Sequence, residues 1–305
     1  MKPPAFRYHA PASLAEALAT LAEAGTRGKV LAGGQSLIPL MNMRLAAPEH
    51  IVDINGVPGL AEVTVDAGGV RIGALVRHAR LEADDAAAAA VPLLRQGVRL
   101  VAHPVIRNRG TTVGSLAHAD PSAEMPAVLA LLGGSVVAAG ASGRRTVPAA
   151  DFFTGPMESC LRPEELAVSA YFPRQAPGTG SAFVEVARRS GDYALCGVAA
   201  LVTLDADLRI TAARAAYLSM APTPVVLDLT DAVAGRTPDT ADPAAAGRLA
   251  AGRLEPEDDI HATAEYRAHL AGVLTARALR AAARDALDRF GAASDPHPAD
   301  SGSGR

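Results

Sequence analysis

The stretch "VLAGGQSLIPLMNMRLAAP", residues 30–48, decides the fold of the first part of this chain. A short apolar run ends in two consecutive glycines, and a polar pair then leads into an apolar pattern with helical spacing. A strand that turns into a helix through Gly33 and Gly34 presents backbone N–H groups that a phosphate can approach, with Ser36 as a hydroxyl donor. The same residues also suit a tight turn in which the glycines only provide a positive φ, so this stretch alone leaves both interpretations open.

Two common phosphate-binding motifs are excluded by spacing. No Lys-Ser or Lys-Thr pair follows the glycines at the distance that a P-loop needs, and no G-x-G-x-x-G occurs anywhere in the chain. If the loop binds phosphate, it does so in a different fold.

The composition is that of an ordinary globular protein. The chain has 305 residues, 49% of them hydrophobic and 20% charged, with a formal net charge of -3. This length suggests roughly two or three domains. Because there is no basic excess, nucleic acid is not an expected partner. The N-terminus lacks an apolar signal core and no window approaches a membrane span, so we expect a cytoplasmic protein.

Cysteine usage limits the metal chemistry of the chain itself. Cys160 and Cys196 are the only cysteines, and they lie far apart, outside any C-x-x-C spacing. The chain alone therefore holds neither a thiolate iron–sulfur cluster nor a Cys-rich zinc site. We interpret both residues as buried thiols.

The first half of the chain shows a β-α-β pattern followed by further strands and helices. Residues 13–25 have helical spacing and end at a glycine, and the runs "KVLAG" and "HIVDI" flank the glycine stretch as short buried strands. Gly68 and Gly69 join two further strands in a predicted hairpin. An alanine-rich helix follows and ends near His103.

The second half reads as a separate α+β domain. Residues 171–182 are rich in Pro and Gly and are the best linker candidate. Three strand-like runs follow, and a long helical pattern covers about 263–290, which predicts a sheet with a helix packed over it. Residues 291–305 have almost no large apolar side chains and are expected to be disordered.

A second glycine-containing loop stands in "RNRGTTVGSLAHADP", residues 107–121. It joins glycines to small hydroxyl residues, with Asp120 as the expected N-cap of the next helix and Pro121 as its first residue. Two such loops suit a diphosphate held from both sides. Because a carboxylate at a helix tip repels an anion, we expect Asp120 to cap the helix or to accept a hydrogen bond from a sugar hydroxyl.

A metal site is disfavoured in the same segment. His118, Asp120 and Glu124 cross a loop-to-helix boundary, and no further His or Cys nearby completes a ligand set. The sequence also offers no defensible Ser-His-Asp arrangement or carboxylate pair for acid–base work. We therefore assign no metal ligand and no catalytic residue, and expect any chemistry to rest on a cofactor.

Five segments together resemble one known family. They are "AGGQS" (32–36), "IRNRGT" (106–111), "GSLAHADPSAE" (114–124), "RSGDYALCGVAA" (189–200) and "YRAHLAGVLTARAL" (266–279). In this order they resemble the FAD-binding medium subunit of the molybdenum hydroxylases, the xanthine dehydrogenase and carbon monoxide dehydrogenase family, over nearly the whole chain.

The resemblance implies an α+β fold with two domains. Residues 1–175 would form a FAD-binding domain of the vanillyl-alcohol oxidase (PCMH) type, with subdomains over about 1–57 and 58–175. Residues 178–290 would form the C-terminal α+β domain of carbon monoxide dehydrogenase flavoproteins, with an antiparallel sheet.

The resemblance also implies cofactor-binding residues, position by position. The first loop matches Lys29, Val30, Leu31, Ala32, Gly33, Gly34, Gln35 and Ser36, the last five expected against the FAD diphosphate. The second loop matches Thr111, Thr112, Gly114 and Ser115, and Asp120 matches an acid near the ribityl or ribose hydroxyls. The other matches are cofactor-lining Val101 and Glu124, Tyr193 near the isoalloxazine ring, and Leu161, Leu166 and Arg189 in the same environment. From the residues alone, Tyr193 equally suits a partly buried aromatic, and Lys29 and Arg189 suit solvated charges.

Two positions qualify the cofactor site. The commoner family pattern in the second loop is T-x-G-G-S, whereas this chain has Val113 in place of the first glycine of the doublet. A Cβ there is expected to narrow the approach to phosphate or to shift the peptide contacts to Gly110 and Gly114. Gln35 carries an amide, which cannot form the covalent flavin link that a His or Cys can, so we expect non-covalent FAD.

The implied function is electron transfer within a complex. In the family, a large subunit carries molybdopterin, a small subunit carries two [2Fe–2S] clusters, and the flavin subunit passes electrons to an external acceptor, usually within a dimer of heterotrimers. Two alternatives stay open: a stand-alone FAD-dependent oxidase or dehydrogenase of the same fold, and a flavin-free scaffold subunit. The resemblance leaves the substrate of the large subunit and the terminal acceptor undefined.

Overall fold

The computed structural model describes residues 2–294; Met1 and residues 295–305, which hold most of the predicted disordered tail, lie outside the described residues. Within the described part, the strands form a three-stranded, a five-stranded and a four-stranded sheet and one two-stranded ribbon. The first two sheets lie within residues 7–173 and the four-stranded sheet lies within residues 179–228. The α+β class is thereby confirmed.

The first subdomain is a small parallel sheet with two helices. Its elements are β1 (Arg7–His9), α1 (Leu14–Ala24), a 3₁₀ turn (Gly25–Arg27), β2 (Gly28–Leu31), α2 (Leu37–Asn42) and β3 (His50–Asp53). Strand β3 lies between β1 and β2 and is parallel to both. The predicted β-α-β unit is confirmed as β2-α2-β3, whereas β1 was not predicted. Because β2 and β3 are parallel, their carboxyl ends open at one edge of the sheet, where the glycine loop begins.

The second subdomain is built on an antiparallel sheet. Its elements are β4 (Val63–Val65), β5 (Gly69–Gly73), α3 (His78–Ala83), α4 (Asp85–Ala90), α5 (Pro92–Leu100), α6 (Pro104–Arg107), α7 (Thr112–His118), α8 (Glu124–Leu132), β6 (Ser135–Gly140), β7 (Gly143–Pro148), α9 (Ala149–Phe152), β8 (Phe153–Gly155), β9 (Glu158–Ser159) and β10 (Leu166–Pro173). The sheet order is β4-β5-β10-β6-β7, and β8 pairs with β9. The hairpin predicted at Gly68 and Gly69 is confirmed as β4-β5, and both glycine N–H groups donate to Oδ1 of Asp66.

The single alanine-rich helix predicted before His103 is wrong. The segment forms α3, α4 and α5, and local capping explains the divisions. The Asp84 side chain accepts the N–H of Ala87 at 2.9 Å and begins α4, and Pro92 stands at the first position of α5. A proline at that position lacks only an N–H that has no partner within the helix.

The C-terminal domain is an antiparallel meander covered by helices. Its elements are β11 (Thr179–Ala187), β12 (Ala194–Leu204), β13 (Ile210–Leu218), β14 (Val225–Asp228), a 3₁₀ turn (Thr230–Ala232), α10 (Pro243–Ala251) and α11 (Ala264–Ser294). The strands pair in chain order. The three predicted strands and the long helix are confirmed, whereas β14 and α10 were not predicted.

The four-stranded sheet is buried on both faces. Along β12, Ala199 belongs to the core of the FAD-type half, while Val198 and Ala200 belong to a second core formed with α10 and α11. A strand covered on both sides reads as a continuous apolar run rather than an alternating one, which accounts for "CGVAALV". The two halves of the chain are therefore packed through this sheet.

The connection between the halves is shorter than predicted. Strand β10 continues to Pro173 and β11 begins at Thr179, so only residues 174–178 of the predicted 171–182 linker lie between strands. The last helix runs to Ser294, past the predicted end of the domain at 290. Over the described residues, no helix combines the length and apolar character that a membrane crossing requires.

The two thiols have different surroundings. Cys196 is fully buried, and burial raises the pKa of its thiol to about 12. Cys160 is half-buried, with its Sγ 3.9 Å from the Arg145 guanidinium. The expectation of a buried thiol therefore holds fully for Cys196 and in part for Cys160.

Candidate cofactor-binding site

The two glycine loops meet backbone to backbone. A Cβ placed on Gly33 would lie 2.4 Å from the carbonyl oxygen of Arg109 and 2.8 Å from Cα of Gly110. Because the obstructing atoms are backbone, they cannot move aside as a flexible side chain can. Gly34 has φ 73°, which side chains rarely adopt. The local structure requires both glycines, and the loops form one unit across the two subdomains.

The first loop leaves a run of backbone donors without acceptors. The N–H groups of Gly33, Gly34, Gln35 and Ser36 donate to no acceptor in the part of the chain that the structure describes. The Gln35 side chain donates through Nε2 to the carbonyl of Gly33 at 2.9 Å, which closes the loop on itself. Consecutive N–H groups of this kind bind anions such as phosphate. The geometry therefore favours the anion-binding interpretation over a simple turn.

The second loop differs from the prediction because most of it is the first turn of α7. The Oγ1 atom of the N-cap Thr111 accepts the N–H of Gly114 at 3.2 Å. A Cβ on Gly114 would lie 2.4 Å from that oxygen, so a side chain there would obstruct the cap. The hydroxyl of Thr112 is buried and lies 3.3 Å from Nδ1 of His78. Of the predicted second-loop residues, Thr112 thus faces the interior.

Val113 also points inward. Its side chain is 1% exposed and belongs to the core of the first half. The expectation that its Cβ narrows the approach to the loop is therefore not supported by this geometry. Ser115, two positions after Val113, is half-buried in the first turn of α7, and its N–H donates to the carbonyl of Thr111.

The residue His78 contacts the second loop through both its ring and its backbone. Its backbone N–H donates to the carbonyl of Gly110 at 2.9 Å. Burial, followed by the positive charge of Arg107, lowers the pKa of His78 to about 4. The ring of His78 is therefore neutral at pH 7 and adds no positive charge to this loop.

A cleft of about 380 Å³ opens beside the first loop. Five of the predicted residues line it: Leu31, Ala32, Gly33, Gly34 and Gln35. The sequence analysis missed the other lining residues, which are Ile38, Pro39, Asn42, Asp53, Asn55, Ile106 and Arg109. Its size, its apolar walls and the free N–H groups at one side suit the adenosine diphosphate portion of a dinucleotide. One available signal was the position of Asp53 at the carboxyl end of β3, beside the end of the parallel strand β2.

Asp53 is held ionised at this edge. Partial burial acts to raise its pKa, but the hydroxyl of Tyr8, donating to Oδ2 at 2.6 Å, the donors of Asn55 and the charge of Arg109 outweigh this effect. The pKa of Asp53 is therefore lowered. The same hydrogen bond is the main reason that the pKa of Tyr8 is raised.

A second polar group lies where the second subdomain meets the C-terminal sheet. It comprises Asp120, Glu124, Glu185 and Tyr193. Burial is the main cause that raises the pKa of Glu124 to about 8, and the charges of Glu185 and Asp120 add to it. Burial also raises the pKa of Glu185, to about 7. The Oε2 atom of Glu185 is buried and has no partner among the described residues. The raised pKa favours the neutral form of the Glu124 carboxyl at pH 7, and that form is able to donate a hydrogen bond.

Tyr193 stands at the rim of this group. Its side chain is 66% exposed, and partial desolvation, followed by the charges of Asp120 and Glu124, raises its pKa. The loop that carries it passes close to the other half of the chain, since a Cβ on Gly191 would lie 2.3 Å from the ring of His103. The predicted residues Asp120, Glu124 and Tyr193 are thus brought together, although they come from two domains.

Asp120 is not a helix N-cap, contrary to the sequence prediction. Its Oδ1 accepts the N–H of Ser122 at 2.8 Å in a local turn, Pro121 lies in that turn, and α8 begins only at Glu124. The preceding Ala119 adopts a left-handed conformation with φ 53° and ends α7. The side chain of Asp120 is consequently free of helix capping, and its Oδ2 lies 4.0 Å from Nε2 of His118.

The remaining predicted residues stand apart from the cleft. Lys29 and Arg189 are exposed, Val30 is half-buried in β2, Val101 and Leu161 are half-buried against the first core, and Leu166 is buried in β10. Among residues 2–294, no group of three or more His, Cys, Asp or Glu side chains is arranged to hold a metal ion.

Comparison with known proteins covers both halves of the chain. The family described as "FAD binding domain in molybdopterin dehydrogenase" matches residues 4–175, and the "CO dehydrogenase flavoprotein C-terminal domain" matches residues 181–282. The chain is 40% identical to the 6-hydroxypseudooxynicotine dehydrogenase complex subunit alpha of Paenarthrobacter nicotinovorans, over 92% of this chain and 95% of that protein. It is 37% identical to the carbon monoxide dehydrogenase medium chain of Hydrogenophaga pseudoflava, over 92% and 98%.

A solved structure shows the same architecture. Quinoline 2-oxidoreductase from Pseudomonas putida 86 contains a chain with a TM-score of 0.88 and 39% identity, with 94% of this chain and 100% of that chain covered. The part of the chain that matches the FAD-binding family, residues 4–175, contains both glycine loops and the cleft described above. The chain belongs to the FAD-binding subunits of the molybdenum hydroxylases, the family that includes the carbon monoxide dehydrogenase medium chains.

Proposed function

We propose that this chain is the electron-transfer subunit of a molybdenum hydroxylase complex and that its two glycine loops hold the diphosphate of non-covalently bound FAD. The observation that carries the proposal is the run of unpaired N–H groups from Gly33 to Ser36, fixed against Arg109 and Gly110 of the second loop. A diphosphate supplies acceptors for such a run of donors.

The cleft beside the first loop supports one orientation of the same cofactor. With the diphosphate at the N–H groups of the first loop, the adenosine end would be held in the cleft by Leu31, Ile38 and Ile106. Asp53 supplies a carboxylate at its edge. Gln35 offers an amide whose Nε2 is already bonded to the Gly33 carbonyl, which supports non-covalent binding.

The polar group between the domains is the proposed position of the flavin end. Asp120 is able to accept a hydrogen bond from a cofactor hydroxyl, because its Oδ2 has no direct hydrogen bond among the described residues. Glu124, whose neutral form is favoured at pH 7, is able to donate one. Tyr193 offers an exposed aromatic face at the rim. Bound FAD accepts electrons one at a time and releases them as a pair, which is the chemistry that a link between iron–sulfur clusters and an external acceptor requires.

The names of the relatives support a multi-subunit assembly. The relatives are a complex subunit alpha and a carbon monoxide dehydrogenase medium chain. We propose that a large molybdopterin-binding subunit and a small [2Fe–2S] subunit are the partners here, in a dimer of heterotrimers. Both cysteines of the chain are free thiols, as is usual in the reducing cytoplasm, where we place the complex.

The first test is the identity and attachment of the flavin. The purified chain is precipitated with acid, and we expect stoichiometric FAD in the supernatant. A protein that stays colourless after incubation with excess FAD, both alone and co-expressed with its partners, would show a flavin-free scaffold. Reduction of the bound flavin by an organic substrate without partner subunits would instead indicate a stand-alone dehydrogenase.

A further inference from the structure

Two side chains outside both glycine loops connect them. Asn55 follows β3 in the first subdomain, and its Nδ2 donates to the carbonyl of Ala32 in the first loop at 2.9 Å. Arg77 precedes α3 in the second subdomain, and its Nη2 donates to Oδ1 of Asn55 at 2.5 Å. The other terminal nitrogen of Arg77, Nη1, donates to the carbonyl of Arg109 in the second loop at 2.6 Å. A continuous chain of hydrogen bonds thus runs from one loop to the other.

Each member of this chain has its orientation fixed. The backbone N–H of Asn55 donates to Oδ1 of Asp53 at 2.9 Å, its Nδ2 lies 2.6 Å from the same oxygen, and Tyr8 holds the other carboxylate oxygen. Arg77 pairs through its backbone with Thr111 in an isolated β-bridge. The bridging side chains are therefore anchored at both ends to the strands and turns that carry the loops.

The residue types fit this task chemically. An amide is both donor and acceptor, so Asn55 can donate to the Ala32 carbonyl while it accepts from Arg77. A guanidinium presents several N–H donors in one rigid plane, which lets Arg77 donate in two directions at once. Lysine lacks this planar fork, and aspartate at position 55 would place an acceptor opposite the Ala32 carbonyl.

We propose that Asn55 and Arg77 are positioning residues whose bridge sets the separation of the two loops and thereby the affinity for FAD. The inference rests on the proposed function, since it takes the loops as the diphosphate site. Arg77 does not line the cleft, so its effect must pass through Asn55 and Arg109.

The test compares two arginines of the same region. Arg77→Met removes the bridge, whereas Arg80→Met removes an arginine of α3 that donates to the Ala61 carbonyl and contacts neither loop. The dissociation constant of FAD is measured for the full chain by quenching of flavin fluorescence. We expect it to rise about tenfold in Arg77→Met, as loss of a charge-assisted hydrogen bond implies, and to stay within about twofold in Arg80→Met.

The Asn55→Asp and Asn55→Ala variants test the bridge separately. Asn55→Asp keeps an acceptor for Arg77 but loses the donor to Ala32, so we expect weakened FAD binding despite the retained ion pair. In a double-mutant cycle of Asn55→Ala with Arg77→Met, the double variant is expected to bind FAD about as well as the weaker single variant, because both break one bridge. Additive losses would show two independent contacts and overturn the proposal.

Hydrogen exchange on the FAD-free chain gives a readout that does not depend on cofactor binding. We expect faster exchange at the hydrogen-bonded amides of Gly110, Thr112 and Ser115 for Arg77→Met and unchanged exchange there for Arg80→Met. Equal FAD affinity and equal exchange in the two variants would overturn the bridge while leaving the proposed function intact. A wild-type chain that binds no FAD in the presence of its partners would overturn the proposed function itself.

Discussion

The two glycine loops and the C-terminal sheet each contain a glycine that packs against another backbone, but different interactions hold the two contacts. Gly33 meets the carbonyl of Arg109 in a polar region tied by directed hydrogen bonds through Asn55 and Arg77. Gly180 of β11 meets α11, where a Cβ would lie 2.1 Å from the carbonyl oxygen of Ala282, in an alanine-rich core. The first region leaves backbone N–H groups without an acceptor among the described residues, whereas Gly180 of the second region is buried. We therefore expect substitutions in the first to change FAD affinity and substitutions in the second to change stability.

The largest effect is expected from Gly180→Ala. The added Cβ would also lie 2.2 Å from the backbone nitrogen of Ala286, so the helix and strand must separate. Overpacking of this kind typically costs about 1 to 3 kcal/mol, and contact with rigid backbone on the helix side places the expected loss at about 4 kcal/mol. Chemical denaturation of the full chain measures the free energy of unfolding. FAD affinity, measured where the variant is folded, should be unchanged.

Gly291→Ala is the matched control for that substitution. Gly291 lies in α11, and a Cβ placed there meets no atom of another described element within 4 Å. Alanine in a helix is favoured over glycine by up to about 1 kcal/mol, so this variant should be as stable as the wild type or more so. Equal stability of both variants would mean that β11 and α11 are not closely packed.

Gly33→Ala is the substitution in the glycine loops that corresponds to Gly180→Ala in the C-terminal sheet. Its Cβ would force the two loops apart at Arg109 and Gly110. We expect the dissociation constant of FAD to rise at least about 100-fold, equivalent to about 2.7 kcal/mol, with a smaller change in the free energy of unfolding. Titration of the FAD-free chain with FAD measures this. Gly56→Ala is the control, because its Cβ would make only an ordinary contact of 3.8 Å with Pro11; retained affinity in Gly33→Ala would contradict the proposed diphosphate site.

Glu124 lies where the second subdomain meets the C-terminal sheet, and its buried carboxyl is expected to make the stability of the chain depend on pH. Its carboxyl has a pKa of about 8 in the folded chain against 4.5 for an unperturbed glutamate, because burial and Glu185 disfavour the charge. A raised folded pKa means that the protonated form contributes stability below about pH 4.5 and that this contribution is lost as the pH rises towards 8. Relative to the wild type, Glu124→Gln should therefore gain about 2.5 kcal/mol of stability between pH 5 and pH 7.

Denaturation curves at several pH values measure that difference. The exposed Glu257 provides the control, since Glu257→Gln should shift the stability curve by less than about 0.5 kcal/mol at every pH. If the wild type and Glu124→Gln run parallel from pH 5 to pH 9, the carboxyl is already ionised in the folded state and cannot donate a hydrogen bond to a cofactor at neutral pH.

Local signals account for what the sequence predicted correctly. The β2-α2-β3 unit, the hairpin at Gly68 and the long helix α11 follow from apolar periodicity and glycine position, which act over short distances. The three helices between β5 and α6 were also encoded locally, by the Asp84 cap and Pro92, but the run of alanines concealed the divisions. Strand β1 has only three residues and pairs with a strand more than 40 positions away, so periodicity gives no signal for it.

The candidate site divides in the same way. The glycines of the first loop were identifiable because the backbone geometry at Gly33 and Gly34 requires them. Asn55 and Arg77 were not, because each is an ordinary polar residue whose role arises only when tertiary folding places it between two loops. The N-cap role predicted for Asp120 was wrong, since its turn with Ser122 competes with helix capping.

Val113→Ala is the substitution with the smallest expected effect. It tests whether Val113 acts as part of the glycine loops or as part of the core. Val113 lies in the second glycine loop along the sequence, but its side chain is 1% exposed and packs in the core. Removal of two buried methyl groups should lower the free energy of unfolding by about 1.5 kcal/mol, as in a core position, and leave the dissociation constant of FAD within about twofold. If the valine side chain obstructed the diphosphate, the shorter side chain would instead tighten FAD binding. Parallel measurement of unfolding and of FAD affinity on one preparation therefore decides to which of the two regions this residue belongs.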